Sequence, residues 1–167
     1  RHLTVIAVTG TKGKTTTSYM IKNMLERGGC RTGLIGTIEI CDGVNTFPSV
    51  NTTPDTLYLH RKMADMVRYG VKYCVMEVSS QGLMCSRISG MDIDIAIYTN
   101  LSPDHIGANE HRTFEEYCRW KRKLFSECRY AVINADDIYS GMFGRCRGCI
   151  TLCSIYLWQR WMITGEV

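Results

Sequence analysis

At 167 residues the chain is long enough for one domain with a real hydrophobic core. Its 45% hydrophobic and 22% charged residues are an ordinary globular balance, which excludes a disordered or low-complexity chain. The net charge of +4 suits an anionic nucleotide ligand. No Lys/Arg block reads as a nucleic-acid patch: the densest run, Arg119, Lys121, Arg122 and Lys123, reads as a solvated helix face.

No stretch is long and apolar enough to span a membrane and no export signal is present, so the expected compartment is the cytoplasm, with no membrane partner. The first residue is Arg1, not Met, which leads us to expect part of something longer. The nine cysteines are scattered and odd in number, as expected of free thiols serving as small hydrophobes. Only Cys146, Cys149 and Cys153 lie close enough together to raise the question of a metal site, and no second pair sits nearby to complete four ligands.

In chain order, Leu3 to Val8 is a β-branched apolar run that predicts a buried parallel strand ending at Thr9-Gly10. A Gly/Thr/Lys loop leads into a helix over Lys14 to Arg27, with Met20 and Met24 on one face and Ile21 and Leu25 on another, closed by Gly28-Gly29. Thr32 to Ile40 predicts a second strand and Asp42-Gly43 a turn. Thr53-Pro54-Asp55 opens a helix carrying Leu59, Met63, Met66 and Val67 on one stripe, stopped by Gly70. Tyr73 to Val78 and Ile93 to Thr99 are further buried strands. Thr113 to Glu127 is a helix with the capping box Thr113-x-x-Glu116, and Tyr130 to Asn134 is again a strand. Beyond Gly144 the pattern weakens, and Cys149 to Trp161 fits a strand pair or a helix. The alternation predicts a single α/β domain over 1–167, a P-loop-type largely parallel sheet with helices on both faces.

The first site candidate is Gly10-Thr11-Lys12-Gly13-Lys14-Thr15-Thr16, between a strand and a helix. Glycines let backbone N–H groups face an anion, and the helix N-terminus adds a positive dipole end. Lys14 can reach phosphates, and Thr15 or Thr16 can offer a hydroxyl to Mg²⁺. The usual loop separates its glycines by four residues, whereas here two intervene, Thr11 and Lys12. The second candidate is Glu77, the only charge at the carboxyl end of an apolar strand, placed either to hold a divalent cation or to face water. The third is His105 in the loop after the strand ending at Thr99, a metal ligand, a hydrogen-bond donor or a surface residue. The fourth is Lys121, which falls on the apolar stripe Phe114, Tyr117, Cys118, Leu124, Phe125, Cys128. A lysine there either snorkels out or has a partner or a job. With a depressed pKa it can add CO₂ to give a carbamate, an anionic metal ligand.

In this order and spacing, Gly10–Thr16, Asn51-Thr52-Thr53, Met76-Glu77-Val78-Ser79-Ser80, Thr99-Asn100-Leu101 with Asp104-His105, Tyr117-x-x-x-Lys121-x-x-Leu124 and Asn134-Ala135-Asp136-Asp137 resemble the Mur ligase family, over about Val5 to Asp137. Within it they look most like the ligases that add lysine or diaminopimelate to a UDP-MurNAc-dipeptide. The resemblance implies an ATP- and Mg²⁺-dependent amide ligase of peptidoglycan synthesis, cell-wall biogenesis, cell shape and division, working through an acyl phosphate. It implies phosphate binding by Gly10 to Thr16, Mg²⁺ binding by Thr15, Glu77 and His105, and a carbamylated Lys121 beside the second Mg²⁺. Lys14, Lys121 and His105 would be the catalytic groups. It also implies substrate contacts at Asn51, Thr52, Thr53, Ser79 and Arg87, and Asn134 near the adenine. Cys85 stands where relatives carry a Gln that touches substrate. The family has an amino-terminal UDP-binding domain and a carboxy-terminal domain, both absent here, so the chain is expected to bind nucleotide without turnover. The rival expectations are a folylpolyglutamate synthase-like or cyanophycin synthetase-like ligase, a non-catalytic nucleotide-binding module, and a cysteine-ligated metal protein.

Overall fold

The structure, a computed structural model, describes residues 3–104, 106–107, 111–143 and, as backbone, 149–152. Eight strands form one sheet in the order β4-β3-β2-β5-β1-β6-β7-β8. They are β1 (Thr4–Thr9), β2 (Thr32–Ile35), β3 (Glu39–Cys41), β4 (Thr46–Pro48), β5 (Tyr73–Glu77), β6 (Ile93–Tyr98), β7 (Cys128–Asn134) and β8 (Cys149–Leu152). From β2 to β8 every pairing is parallel; β3 and β4 add an antiparallel hairpin at one edge. The α/β reading with a largely parallel sheet therefore describes the fold.

Strand β1 is apolar from Val5 to Val8 because both its faces are covered. Ile6 and Val8 join Leu34 and Val75 beneath Tyr19, Ile21 and Leu25 of α1 (Lys14–Arg27). Val5 and Ala7 face the opposite way, into the core built with α2 (Thr56–Arg68), α3 (Ser80–Met84) and α4 (Phe114–Glu127). Of the two pairs on α1, only Ile21 and Leu25 meet the sheet; Met20 and Met24 are 61% and 73% exposed. Both α1 and α2 end with a left-handed glycine, Gly29 (φ 78) and Gly70 (φ 71). The following residue in each case, Cys30 or Val71, donates back to a carbonyl in the last turn, Leu25 or Met66. On α2 the stripe is narrower than expected: Leu59 and Met66 are fully buried, while Val67 is 41% exposed.

One expectation is corrected and two elements are added to the reading. The second strand does not run from Thr32 to Ile40: it stops at Ile35 and returns antiparallel from Glu39, with Ile35 opposite Ile40. The break falls at Gly36-Thr37-Ile38 because the Thr37 amide and hydroxyl bond the Glu77 side chain instead of a strand neighbour. A Cβ on Gly36 would lie 2.5 Å from Glu77 Oε1, so glycine alone admits this approach. The short strand β4 and helix α3 were not expected; both are too short to show a period. Cys149–Leu152 is a parallel strand on β7, while the rest of 145–167 lies outside the described residues, as does the Cys146-Cys149-Cys153 ligand question.

The site is placed by the crossover. β5 and β6 are joined in sequence through α3 but lie on either side of β1. Their carboxyl ends therefore open beside that of β1 on one edge, the usual place for a ligand in an open parallel sheet.

Candidate active site

The loop after β1 is shaped by two glycines. Gly10 adopts φ 152 and Gly13, the N-cap of α1, adopts φ 82. A Cβ on Gly10 would lie 1.9 Å from Thr99 Oγ1 and 3.1 Å from the Asn100 backbone, so the loop presses directly on the end of β6. The loop is then tied down. Thr11 N donates to Asn100 O and Lys12 N to Asn100 Oδ1, while Lys12 O accepts from Thr99 Oγ1 and Asn100 Nδ2. The Thr11 hydroxyl is buried against Tyr117 Oη at 3.0 Å and accepts from Ser102 N. Thr11 thus anchors the loop from below, and its amide and hydroxyl point away from the opening. Lys12 is turned outward to Asp104 (3.0 Å) with its side chain 77% exposed.

What remains for an anion is the mouth formed by Gly13, Lys14, Thr15 and Thr16. The amides of a first helical turn have no partner within the helix, and no acidic residue lies in the first turn of α1. Lys14 Nζ folds back onto Gly10 O (2.9 Å) and Thr11 O (3.1 Å). Burial lowers its pKa, with Glu77 acting in the opposite direction.

Glu77 ends β5 and is fully buried. Oε2 accepts from Thr15 Oγ1 and Thr37 Oγ1, both at 2.9 Å, and Oε1 accepts from Thr37 N at 3.0 Å. A carboxylate and a hydroxyl beside the phosphate loop are hard oxygen donors at one point, which is the chemistry that suits Mg²⁺ beside a triphosphate. Lys121 comes up from α4, 1% exposed, and donates to Gly10 O at 2.8 Å, with its ammonium 4.6 Å from the centre of the Tyr117 ring. It does not snorkel. Burial first, and then the charge of Lys14, push its pKa down to about 7.

Beside Lys14 and Lys121 a cleft of about 160 Å³ is walled by Asn51, Thr52, Thr53, Ser79 and Arg87. Sequence positions far apart are brought together here, but not all are equally open. Thr53 is buried, with its hydroxyl donating to Glu77 O and accepting from Ser79 N, and its carbonyl accepting from Arg87. Ser79 caps α3 by accepting from Gly82 N. Asn134 stands at the end of β7 and donates to Thr99 O at 2.7 Å. His105 lies outside the described residues. A larger groove of about 650 Å³ runs along α4 beside Trp120, Phe125 and Phe143, but shares no residue with this cleft.

Several groups at this edge take roles that the sequence reading does not assign them. Thr37 bonds Glu77, Thr99 and Asn100 hold the loop, and Asp137 accepts from Tyr98 Oη, Leu101 N and Tyr139 N. Thr37 carries no signal for this role, because it falls inside the strand that the sequence predicts over Thr32 to Ile40.

A family model described as the Mur ligase middle domain matches residues 8–148. The chain belongs to the Mur ligase family. It is 48% identical over 141 residues to the UDP-N-acetylmuramoyl-L-alanyl-D-glutamate–2,6-diaminopimelate ligase of Caldanaerobacter subterraneus subsp. tengcongensis, covering 84% of this chain and 29% of that one. It is 46% identical over 137 residues to the ligase of the same name from Clostridium perfringens, covering 82% of this chain and 28% of the relative. A solved structure of such a ligase superposes with a TM-score of 0.77 at 33% identity, covering 90% of this chain and 32% of that one. The chain thus spans less than a third of the length of these Mur ligase relatives. No helix among the described residues is long and apolar enough to cross a membrane.

Proposed function

We propose that this chain is the central ATP-binding domain of an ATP-dependent acid–amine ligase of peptidoglycan precursor synthesis. In this reading the protein adds the third stem residue to UDP-MurNAc-dipeptide in the cytoplasm. The names of the relatives support diaminopimelate over lysine as the incoming amine. The observation that carries the reading is the convergence of Lys14 and Lys121 on Gly10 O, beside the Thr15–Glu77 pair, at the carboxyl edge of the sheet.

The reaction class joins two anions, a carboxylate and a triphosphate, before an amine displaces phosphate. Charge neutralisation is therefore the main task. The first-turn amides of α1 bind phosphate oxygens, and Lys14 exchanges two backbone carbonyls for them. Lys12 serves through its backbone, which fixes the loop to Asn100. Thr15 and Glu77, with His105, would hold Mg²⁺, which supplies positive charge to the phosphates when bound. Arg87, Ser79, Asn51 and Thr52 line the wall against which the substrate carboxylate is oriented. Thr53 shapes that wall by holding Arg87 and Ser79 in place. Asn134 flanks the adenine. The lowered pKa, about 7, brings the neutral amine of Lys121 into reach near neutral pH, the form that would add CO₂ and release a proton to become a carbamate that could serve as a second cation ligand.

The test is calorimetric titration with a non-hydrolysable ATP analogue and Mg²⁺, beside a Lys14→Ala variant. Binding that needs both Mg²⁺ and Lys14 is expected. Binding indifferent to both would overturn the assignment of the loop. Ligation by the isolated chain would contradict its reading as one domain of a larger enzyme.

A further inference from the structure

Thr37 is an exposed residue in the turn between β2 and β3, yet it holds both oxygens of the fully buried Glu77 carboxylate. Its amide donates to Oε1 and its hydroxyl to Oε2. The same hydroxyl lies 3.0 Å from Thr52 Oγ1. A hydroxyl has one hydrogen. Since the carboxylate can only accept, the Thr37 hydrogen goes to Glu77, and Thr52 must donate to Thr37. The result is a directed chain: Thr52 to Thr37, Thr37 to Glu77 Oε2, with Thr15 donating to that oxygen from the phosphate loop.

We propose that Thr37 is a positioning residue that fixes the Glu77 carboxylate toward Thr15 and couples it to the Asn51–Thr53 wall. The proposal rests on the ligase reading above. A cation held by Thr15 would take a lone pair of its oxygen and leave its one hydrogen able to stay on Glu77. The two bonds from Thr37 come from a different element, the turn between β2 and β3, and do not depend on that oxygen. They hold the carboxylate in one rotamer and keep Oε2 aimed at the loop. Without the Thr37 hydroxyl, Glu77 keeps the Thr37 amide at Oε1 and the Thr15 hydroxyl at Oε2, so one of its three contacts is lost and the carboxylate is held less firmly. Thr52 loses its acceptor in the same step, so disorder at the cation position reaches the substrate wall.

The test is calorimetric titration of the intact protein with a non-hydrolysable ATP analogue at stepped Mg²⁺ concentrations. Thr37→Val, which keeps shape and loses the hydroxyl, is expected to raise the half-saturating Mg²⁺ about tenfold or more, as outer groups of a metal site typically do. Thr37→Ser restores the hydroxyl and is expected to return within about twofold of the original protein. A purely structural role would move the unfolding midpoint and leave the Mg²⁺ dependence alone. Thr37→Ala, read by the same criterion, guards against a folding defect in the valine variant. Unchanged Mg²⁺ dependence in the valine or alanine variant, or no rescue by serine, overturns the proposal and leaves the ligase reading standing. Absence of Mg²⁺-dependent binding in the unaltered protein overturns both.

Discussion

Lys14 Nζ and Lys121 Nζ, from the first turn of α1 and the middle of α4, donate to the same acceptor, the carbonyl oxygen of Gly10, at 2.9 and 2.8 Å. Two ammonium groups on one carbonyl repel, and Lys121 is the more buried of the two. Burial of Lys121 first, and then this repulsion, lower its pKa to about 7.

A dependence of stability on pH follows. The Lys121 pKa is about 7 in the folded protein against an ordinary 10.5. Between those values the unfolded chain holds a proton that the folded one has released, so stability rises with pH across that window. Below about pH 7 both forms are protonated and the penalty is constant. Lys121→Met should remove the rise and lift the unfolding midpoint at pH 7 by about 2–4 °C, roughly what 1 kcal/mol is worth in a domain of this size. Unfolding midpoints measured from pH 6 to 10 on both proteins check this; parallel curves would count against it.

The two loop lysines should behave differently. Lys12 is paired with Asp104 in the open, and exposed pairs contribute at most about 1 kcal/mol. Lys12→Ala keeps the backbone contacts with Thr99 and Asn100, so stability should change by less than that figure and nucleotide affinity by less than about tenfold. Lys14→Ala should lose far more affinity with little change in fold. Equal losses in the two titrations would mean that Lys12 also reaches the phosphates.

How much of this was legible in the sequence depended on whether the signal was local. The loop, its helix and Lys121 were readable because glycine spacing and a lysine on an apolar stripe are patterns within one element. The capping box was readable too, although Glu116 bonds the Arg112 amide, one residue before the cap. Thr37 was hidden because its role is set by register. Ile35 pairs with Met76, so the turn after β2 meets the last residue of β5, and nothing within β2 announces that. Likewise Thr99 and Asn100 hold the loop only because β6 lies beside β1.

Gly10→Ala tests the close approach of loop and sheet. The new methyl would lie 1.9 Å from Thr99 Oγ1 and 3.1 Å from the backbone N and O of Asn100, on a backbone at φ 152 that L residues rarely adopt. The Thr99 side chain can rotate away, but then its bonds to Thr9 O and Lys12 O are lost. Overpacking of this kind costs about 1–3 kcal/mol. A clear fall in the unfolding midpoint is expected, together with loss of nucleotide binding. An alanine variant of unchanged stability and affinity would show that the loop is free to move off the sheet.

Glu77→Gln separates the charge of this side chain from its hydrogen bonds. Three donors face the carboxylate: Thr37 N, Thr37 Oγ1 and Thr15 Oγ1. Only the first is fixed in direction by the backbone. A glutamine can set its carbonyl oxygen against that amide and its NH₂ against the two hydroxyls, each of which can rotate to accept. The fold should therefore survive, with the unfolding midpoint moved by about 2–4 °C or less. The amide brings no negative charge to a cation, so Mg²⁺-dependent binding of an ATP analogue should weaken by about tenfold or more. Glu77→Leu is the contrast. It leaves three partly buried donors without their acceptor, and should unfold at lower temperature than Glu77→Gln. If glutamine destabilised as much as leucine, the charge would be needed to hold the edge of the sheet. If glutamine left the Mg²⁺ dependence unchanged, the cation would have to be held without Glu77.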